Sequence, residues 1–130
     1  ILNHPVFMGL GRAEPDKIDE VNILNATRLA MNEAIKACPA DVLLVDAVKN
    51  LDFKGEQFSI LHGDALSYSI AAASIVAKVT RDREMVELSQ KYPEYHFDKN
   101  KGYGTKEHIE ALKKFGPCKI HRRSFIKNFL

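Results

Sequence analysis

Residues 64–83, DALSYSIAAASIVAKVTRDR, are the most informative stretch of this sequence. They predict a long helix from about Ser67 to Lys91. Small Ala and Ser side chains along it favour close approach to a sheet or a ligand, because they supply little core volume. An acid, Asp64, stands just before this helix, beside Gly63, where the chain must turn. The expected apolar stripe of the helix comprises Ile70, Ala73, Val76, Ala77, Met85 and Leu88.

Two apolar runs precede the helix. Val42–Val45 is a short continuous apolar run, as expected for a strand buried on both faces, and it ends in Asp46. Gln57–Leu61 is a second strand candidate. Strands alternating with helices predict an α/β architecture with short parallel strands. Because two strands alone make a poor sheet, we expect partner strands from elsewhere.

Capping and breaking residues predict the other helices. These run over Pro15–Val21, from a cap at Asn22 to Pro39, and from a cap at Thr105 to Gly116. The intervening residues 92–104, rich in aromatics, Lys and Gly, are expected to form a loop. Residues 1–130 contain no repeat or linker, and they predict a single domain with one core.

The charge pattern is informative only locally. The net charge of +2 is too small to indicate nucleic-acid binding by itself. Eight Lys and Arg residues between Lys99 and Arg123 nevertheless predict a basic face, with a merely solvated surface as an equal alternative. Cys38 and Cys118 match no metal-ligand spacing. With no signal peptide and no apolar run of membrane length, we expect no membrane association and a cytoplasmic location.

Two acids that follow strand candidates are the catalytic candidates. In open α/β sheets, ligands bind beyond the carboxyl ends of the strands. If the strands are parallel neighbours, Asp46 and Asp64 emerge at one edge and can share divalent cations, as in two-metal phosphodiester hydrolysis. The alternatives are a turn-forming role for Asp46 and a helix-capping or turn-forming role for Asp64. A third acid, Asp82, lies beside arginines in the long helix, so we expect it to pair with basic neighbours and to point away from the other two.

A glycine-flanked tyrosine is the substrate-binding candidate. Tyr103 lies between Gly102 and Gly104, where the backbone can approach a ligand closely, and Lys101 and Lys106 can meet phosphates. The alternative is a ring packed across the loop as a lid on the core. The terminal His121, Arg122 and Arg123 are equally compatible with a phosphate-facing patch and with attachment to the core, while His108 is expected at the surface.

Three blocks carry a resemblance to a known family. They are residues 64–83, NKGYGTKEH at 100–108 and HRRSF at 121–125. Together they resemble the type 2 ribonucleases H, and ribonuclease HII most closely. The resemblance implies a ribonuclease H-like fold and a monomeric, Mg²⁺- or Mn²⁺-dependent endonuclease. Its substrates would be the RNA strand of RNA–DNA hybrids and single ribonucleotides in duplex DNA.

The resemblance also implies roles for individual residues. Asp46 and Asp64 match two of the four family carboxylates, as catalytic residues and metal ligands. Tyr103 matches the tyrosine that packs at the ribonucleotide next to the scissile bond. Lys101, Lys106 and Arg122, which come from the charge pattern rather than from the resemblance, complete the predicted substrate-binding set.

One family motif is missing. Type 2 enzymes carry Gly-x-Asp-Glu-Ala-Gly-Arg-Gly on the first strand, with two more carboxylates and a turn that reads the ribose 2′-hydroxyl. Neither Asp19-Glu20, in a helical stretch, nor Gly9-Leu10-Gly11-Arg12 replaces it. We therefore expect an N-terminally incomplete domain that does not cleave by itself. The alternatives are a non-catalytic nucleic-acid-binding fragment and a scaffold used only for protein contacts.

Overall fold

The computed structural model describes residues 7–130, and the opening residues 1–6 lie outside this description. The chain divides into two compact units, the first ending at Ala77 and the second running over Lys78–Leu130. The predicted α/β architecture with parallel strands is confirmed and is consistent with a ribonuclease H-like fold. The single domain expected over residues 1–130 stays a prediction.

The first unit begins with two helices whose ends match the local sequence signals. Helix α1 spans Pro15–Val21, with proline in its first turn, and α2 spans Ile23–Ala37. Between them Asn22 has a φ of 72°, which asparagine tolerates better than most residues. Its side chain accepts a hydrogen bond from the backbone N–H of Asn25 at 3.0 Å, so the predicted cap is confirmed.

The Gly9–Gly11 segment lies directly on the small-residue side of α2. A Cβ added at Gly9 would overlap the carbonyl oxygen of Ala34, and one added at Gly11 would overlap that of Ala30. These glycines therefore allow close backbone packing against a helix. This packing is a structural reason for their presence, and it agrees with our rejection of this segment as the ribose-reading turn.

The sheet of the described residues has two parallel strands, β1 (Val42–Asp46) and β2 (Glu56–Ile60), in a register that pairs Asp46 with Ile60. The expectation that β1 is buried on both faces is wrong. Val42 and Leu44 are exposed, whereas Val45, on the opposite face, is buried. Successive side chains of a strand point to opposite faces, and within residues 7–130 only one face of β1 is covered.

Two helices follow the sheet. Helix α3 (Gly63–Leu66) is short, and α4 (Tyr68–Lys91) continues from the first unit into the second, close to the predicted bounds. The turn into α3 uses His62 in the left-handed region, with a φ of 54°, rather than Gly63 as expected. The predicted stripe of α4 is confirmed at the buried Ile70 and Met85, but Ala73 and Ala77 are exposed.

The second unit has an aromatic core. Its buried members are Met85, Tyr95, Phe97, Ala111, Leu112 and Ile126. The expected loop over residues 92–104 contains a 3₁₀ turn (Pro93–Tyr95) and helix α5 (Phe97–Asn100), because its aromatic side chains face this core. Helix α6 (Lys106–Phe115) ends at Gly116 as predicted, and the chain closes with α7 (Arg123–Ile126) and a 3₁₀ turn (Lys127–Phe129).

Candidate active site

The two strand-end acids belong to neighbouring elements of the first unit. Asp46 is the last residue of β1, and Asp64 is the second residue of α3, which begins three residues after β2 ends. The parallel pairing of β1 with β2 brings their carboxyl ends to one edge, as predicted. Asp46 is half-buried and Asp64 is exposed. Both acids are therefore accessible at the edge where α/β sheets bind ligands.

The end of β1 contacts the start of α3 directly. The backbone N–H of Gly63 donates to Asp46 Oδ1 at 3.3 Å, across 17 residues of sequence. A Cβ added at Gly63 would lie 3.3 Å from the Asp46 Cα and 2.7 Å from the Ile70 Cδ1, so glycine permits this approach. Asp64 is the next residue after Gly63. This contact places the backbone of Asp64 beside the Asp46 carboxylate, and cation sharing by the two carboxylates stays a prediction.

The donor chemistry of this pair suits a hard divalent cation. Mg²⁺ is typically bound by one or two carboxylates, with waters and substrate phosphates completing the oxygen ligands. Asp46 uses Oδ1 for one hydrogen bond from Gly63, which leaves further lone pairs of its carboxylate for a cation. Within residues 7–130 there is no group of three or more His, Cys, Asp or Glu side chains arranged to hold a metal. Asp46 and Asp64 therefore fit as a partial set of ligands.

Asp82 pairs with a basic neighbour, as predicted. Lys78 Nζ lies 3.5 Å from Asp82 Oδ2, one helical turn away in α4, and the lysine side chain is largely exposed. Such pairs contribute little to stability, about 0.3–0.5 kcal/mol. The expectation that Asp82 points away from Asp46 and Asp64 stays a prediction.

Tyr103 has a fixed backbone and an exposed ring. Its N–H donates to the Asn100 carbonyl at 2.9 Å, and its own carbonyl accepts from the N–H of Thr105 at 2.9 Å and from His108 Nδ1 at 2.7 Å. The residue is 66% exposed. The alternative of a ring packed as a lid on the core is therefore wrong, since a lid would be covered by its contact with that core. A held backbone under an exposed aromatic ring is suited to stacking on a base or a sugar.

The predicted basic residues lie in the same unit as Tyr103. Lys106 is almost fully exposed at the start of α6, with its Nζ 3.9 Å from Glu110 Oε1. Lys101 is half-buried after α5, with a φ of 52°. The guanidinium of Arg122 lies over the Phe125 ring, 3.9 Å from its centroid. Arg122 also lines a cleft of about 150 Å³ that includes the glycines flanking Tyr103.

Sequence reasoning missed the buried histidines of this unit. His108 was expected at the surface, but it is buried, and its Nε2 lies 2.9 Å from Nε2 of the buried His121. The helical spacing of α6 could have predicted this burial. His108 precedes the buried Ala111 and Leu112 by three and four residues, so it lies on the same apolar stripe. For His121, attachment to the core is the better of the two interpretations left open, because its ring lies inside the aromatic cluster.

Burial sets the protonation of this cluster. Desolvation, together with the neighbouring His108, lowers the pKa of His121 to about 4, because the charged imidazolium loses its hydration. Burial likewise raises the pKa of the Cys118 thiol, whose Sγ lies 3.2 Å from His121 Nδ1. Both groups are therefore neutral at pH 7. A neutral thiol is a poor nucleophile and metal ligand, so Cys118 acts as a packing residue.

A family sequence model and several named relatives indicate one family for this chain. The sequence model of the family described as Ribonuclease HII matches residues 6–128. Proteins named Ribonuclease HII from Acetivibrio thermocellus and Caldicellulosiruptor bescii are 56% and 52% identical over 96% and 100% of this chain. One from Caldanaerobacter subterraneus is 53% identical over 100% of it. The chain spans 50%, 64% and 55% of the length of these three relatives, respectively.

Proposed function

The chain belongs to the ribonuclease HII family, and on that premise we propose that its function is that of a metal-dependent endonuclease. The proposed substrates are the RNA strand of RNA–DNA hybrids and single ribonucleotides in duplex DNA. The observation that carries the proposal is the contact of the Asp46 carboxylate with the first residue of α3, beside Asp64. Carboxylates gathered at the carboxyl edge of an α/β sheet are the donor set that two-metal phosphodiester hydrolysis needs.

Asp46 and Asp64 are the proposed ligands of Mg²⁺ or Mn²⁺. When bound, such an ion stabilises negative charge on the scissile phosphate and lowers the pKa of a bound water. The chain's own contribution is to orient the ligands. The Gly63 N–H holds Oδ1 of Asp46, and the short helix α3 starts from that contact, so Asp64 is presented at a set place relative to β1.

Tyr103 and the basic residues near it are the proposed substrate-binding groups. The exposed ring of Tyr103 is available to stack at the ribonucleotide, while Lys101, Lys106 and Arg122 are the proposed contacts to phosphates. Phosphate contacts position a duplex without reading its sequence. This division suits an enzyme that recognises a ribonucleotide in any sequence context.

The decisive experiment replaces the acids one at a time in the native gene product. A duplex with one embedded ribonucleotide is incubated with Mn²⁺, and incision is measured. We expect Asp46→Asn and Asp64→Asn to lower the rate by at least about 10²-fold, the usual effect of losing a group that stabilises the transition state. Asparagine keeps the acceptor for the Gly63 N–H, so the local fold is retained.

Asp82→Asn is the matched control. Asp82 pairs with Lys78 at the surface, so this variant should retain most of the activity. A larger loss for Asp82→Asn than for Asp64→Asn would show that the wrong acid has been assigned.

The second candidate function is binding without cleavage by the 130-residue chain itself. By the family resemblance it carries only two of four carboxylates, and its described residues hold no larger acidic cluster. Exposed lysines of the second unit should still attract phosphates, so the chain should bind an RNA–DNA hybrid with an affinity that falls as the salt concentration rises. Clean incision by the highly purified chain, abolished by Asp46→Asn, would contradict this candidate.

The cellular location and the oligomeric state of the protein are also proposals. No helix within residues 7–130 combines the length and the apolar character needed to cross a bilayer. The cytoplasmic location and the monomeric state expected from the sequence stay predictions.

A further inference from the structure

The buried histidines of the second unit form a hydrogen-bond chain that can be satisfied in only one way. The backbone N–H of Cys118 donates to His121 Nδ1 at 3.0 Å, so this nitrogen carries no proton. A neutral His121 must then carry its proton on Nε2 and donate it to His108 Nε2, 2.9 Å away. His108 is left with its proton on Nδ1. That proton is donated at 2.7 Å to the carbonyl of Tyr103, which can only accept.

The far end of this chain is the substrate-binding candidate. The Tyr103 carbonyl also accepts from Thr105, and the Tyr103 N–H donates to Asn100, so the peptide groups on both sides of its Cα are held. Asn100 is itself buried, and its side chain donates to the Tyr95 carbonyl at 2.6 Å and accepts from the Gly102 N–H at 2.8 Å. The exposed ring is therefore attached to the core through buried polar groups.

We propose that the His108–His121 pair is a positioning device that holds the Tyr103 backbone, and through it the exposed Tyr103 ring, in the orientation that receives the nucleic acid. His108 and His121 are positioning residues, since neither is proposed to touch substrate. The role of Tyr103 in this inference rests on the proposed function. The hydrogen bonds of the histidine pair are independent of that function.

The surroundings disfavour a charged His121. Tyr95 and Phe97 pack against both imidazoles, and Cys118 faces Nδ1 of His121. The charged side chains at the same cleft are cations: Arg81 from α4 and Arg122 before α7 line it with the two histidines. Arg123 also disfavours a charged His121. A proton added to Nδ1 of His121 would face the Cys118 N–H, so it would break the hydrogen bond at the Cys118 end of the chain.

The test measures the affinity of the 130-residue chain for a fluorescent RNA–DNA hybrid at fixed salt. His108→Leu removes the donor to Tyr103 and should weaken binding about three- to tenfold, which is the effect expected from losing the net free energy of one hydrogen bond. His108→Asn should recover most of that loss, because its amide nitrogen can occupy the place of Nδ1 and donate to the same carbonyl. In a Tyr103→Ala background, His108→Leu should have no further effect, since the ring that it positions is gone.

Two outcomes of the binding experiment would overturn the proposal. One is a loss of hybrid affinity caused by His108→Leu that is equally large in the Tyr103→Ala background. Such a loss would mean that His108→Leu destabilises the protein generally. The other is a His108→Asn variant that binds no better than His108→Leu.

A second set of measurements needs no substrate, and its first part needs no variant. Nitrogen NMR of the imidazoles in the unmodified chain should show the proton on Nδ1 of His108 and on Nε2 of His121. Amide exchange at Tyr103 should be slow in the parent and close to that rate in His108→Asn, which keeps the donor, and it should be faster in His108→Leu. The opposite tautomers, or unchanged exchange in His108→Leu, would overturn the positioning role. If both NMR results hold while Tyr103→Ala leaves hybrid affinity unchanged, the positioning role stands and the proposed role of Tyr103 in substrate binding fails.

Discussion

At the scale of single residues, the two glycines that flank Tyr103 meet different requirements. Gly102 has a φ of 87°, in the left-handed region that side chains with a Cβ disfavour. A Cβ added there would also lie 3.1 Å from the Met85 Cε. Gly104 has no heavy atom within 4 Å of an added Cβ and no such backbone angle. Only Gly102 is therefore required by the conformation of this loop.

This difference predicts the stability of two matched variants. Gly102→Ala should lower the free energy of unfolding by about 1–2 kcal/mol, the usual penalty for an L-residue in the left-handed region. Gly104→Ala should change it by no more than about 0.5 kcal/mol. Urea denaturation of the two variants beside the parent measures both values. Equal losses would mean that the backbone angle at Gly102 is not what makes glycine necessary.

At the scale of elements, α6 joins the Tyr103 loop to the aromatic core. Its N-cap, Thr105, accepts from the His108 N–H at 3.3 Å, while the Thr105 N–H donates to the Tyr103 carbonyl. The buried stripe of the helix begins at His108 and continues through Ala111 and Leu112. The start of the helix and the loop before it are therefore held by shared hydrogen bonds.

The cap predicts a stability difference between two threonine substitutions. Thr105→Ala removes the side-chain acceptor and should lower the free energy of unfolding by about 1 kcal/mol, while Thr105→Ser keeps the hydroxyl and most of that stability. Thermal unfolding followed by circular dichroism compares the two. A serine variant as unstable as the alanine variant would show that the threonine methyl group, rather than the cap, is responsible.

At the scale of the whole molecule, the buried His121 makes stability depend on pH. Its pKa in the folded protein is about 4, below the ordinary value of 6.5, so the unfolded chain binds more protons between these two values. The contribution of His121 is therefore fully present above about pH 6.5 and is lost progressively as pH falls towards 4.

Denaturant titrations across this range check the sign. The free energy of unfolding of the parent should decrease from pH 6.5 to pH 4, by at most about 1.4 kcal/mol per pH unit from this group. His121→Phe should show a flatter profile over the same range, because the titrating group is gone while the other acidic and basic groups remain. A parent profile no steeper than that of His121→Phe would exclude His121 as the source of the pH dependence.

Structural features that depend on neighbouring residues could be predicted from the amino-acid sequence. The helix ends at Pro15, Asn22, Thr105 and Gly116 were predicted because capping and breaking signals act within about four residues. The parallel strands and the family resemblance were also accessible, since both rest on contiguous patterns. The comparisons confirm the family. The site residues drawn from that resemblance stay predictions, now with a defined local structure around each.

The burial of side chains and the contacts between distant residues depend on the tertiary fold, and they could not all be predicted from the sequence. The pattern of β1 could not show that Val42 and Leu44 are exposed, because burial depends on what packs against the strand. Tyr95 and Phe97 belong to the core, although their local sequence reads as a loop. The contact of Asp46 with Gly63 spans 17 residues, and that of His108 with His121 spans 13. Such pairings arise from the packing of whole elements, which short-range propensities do not encode.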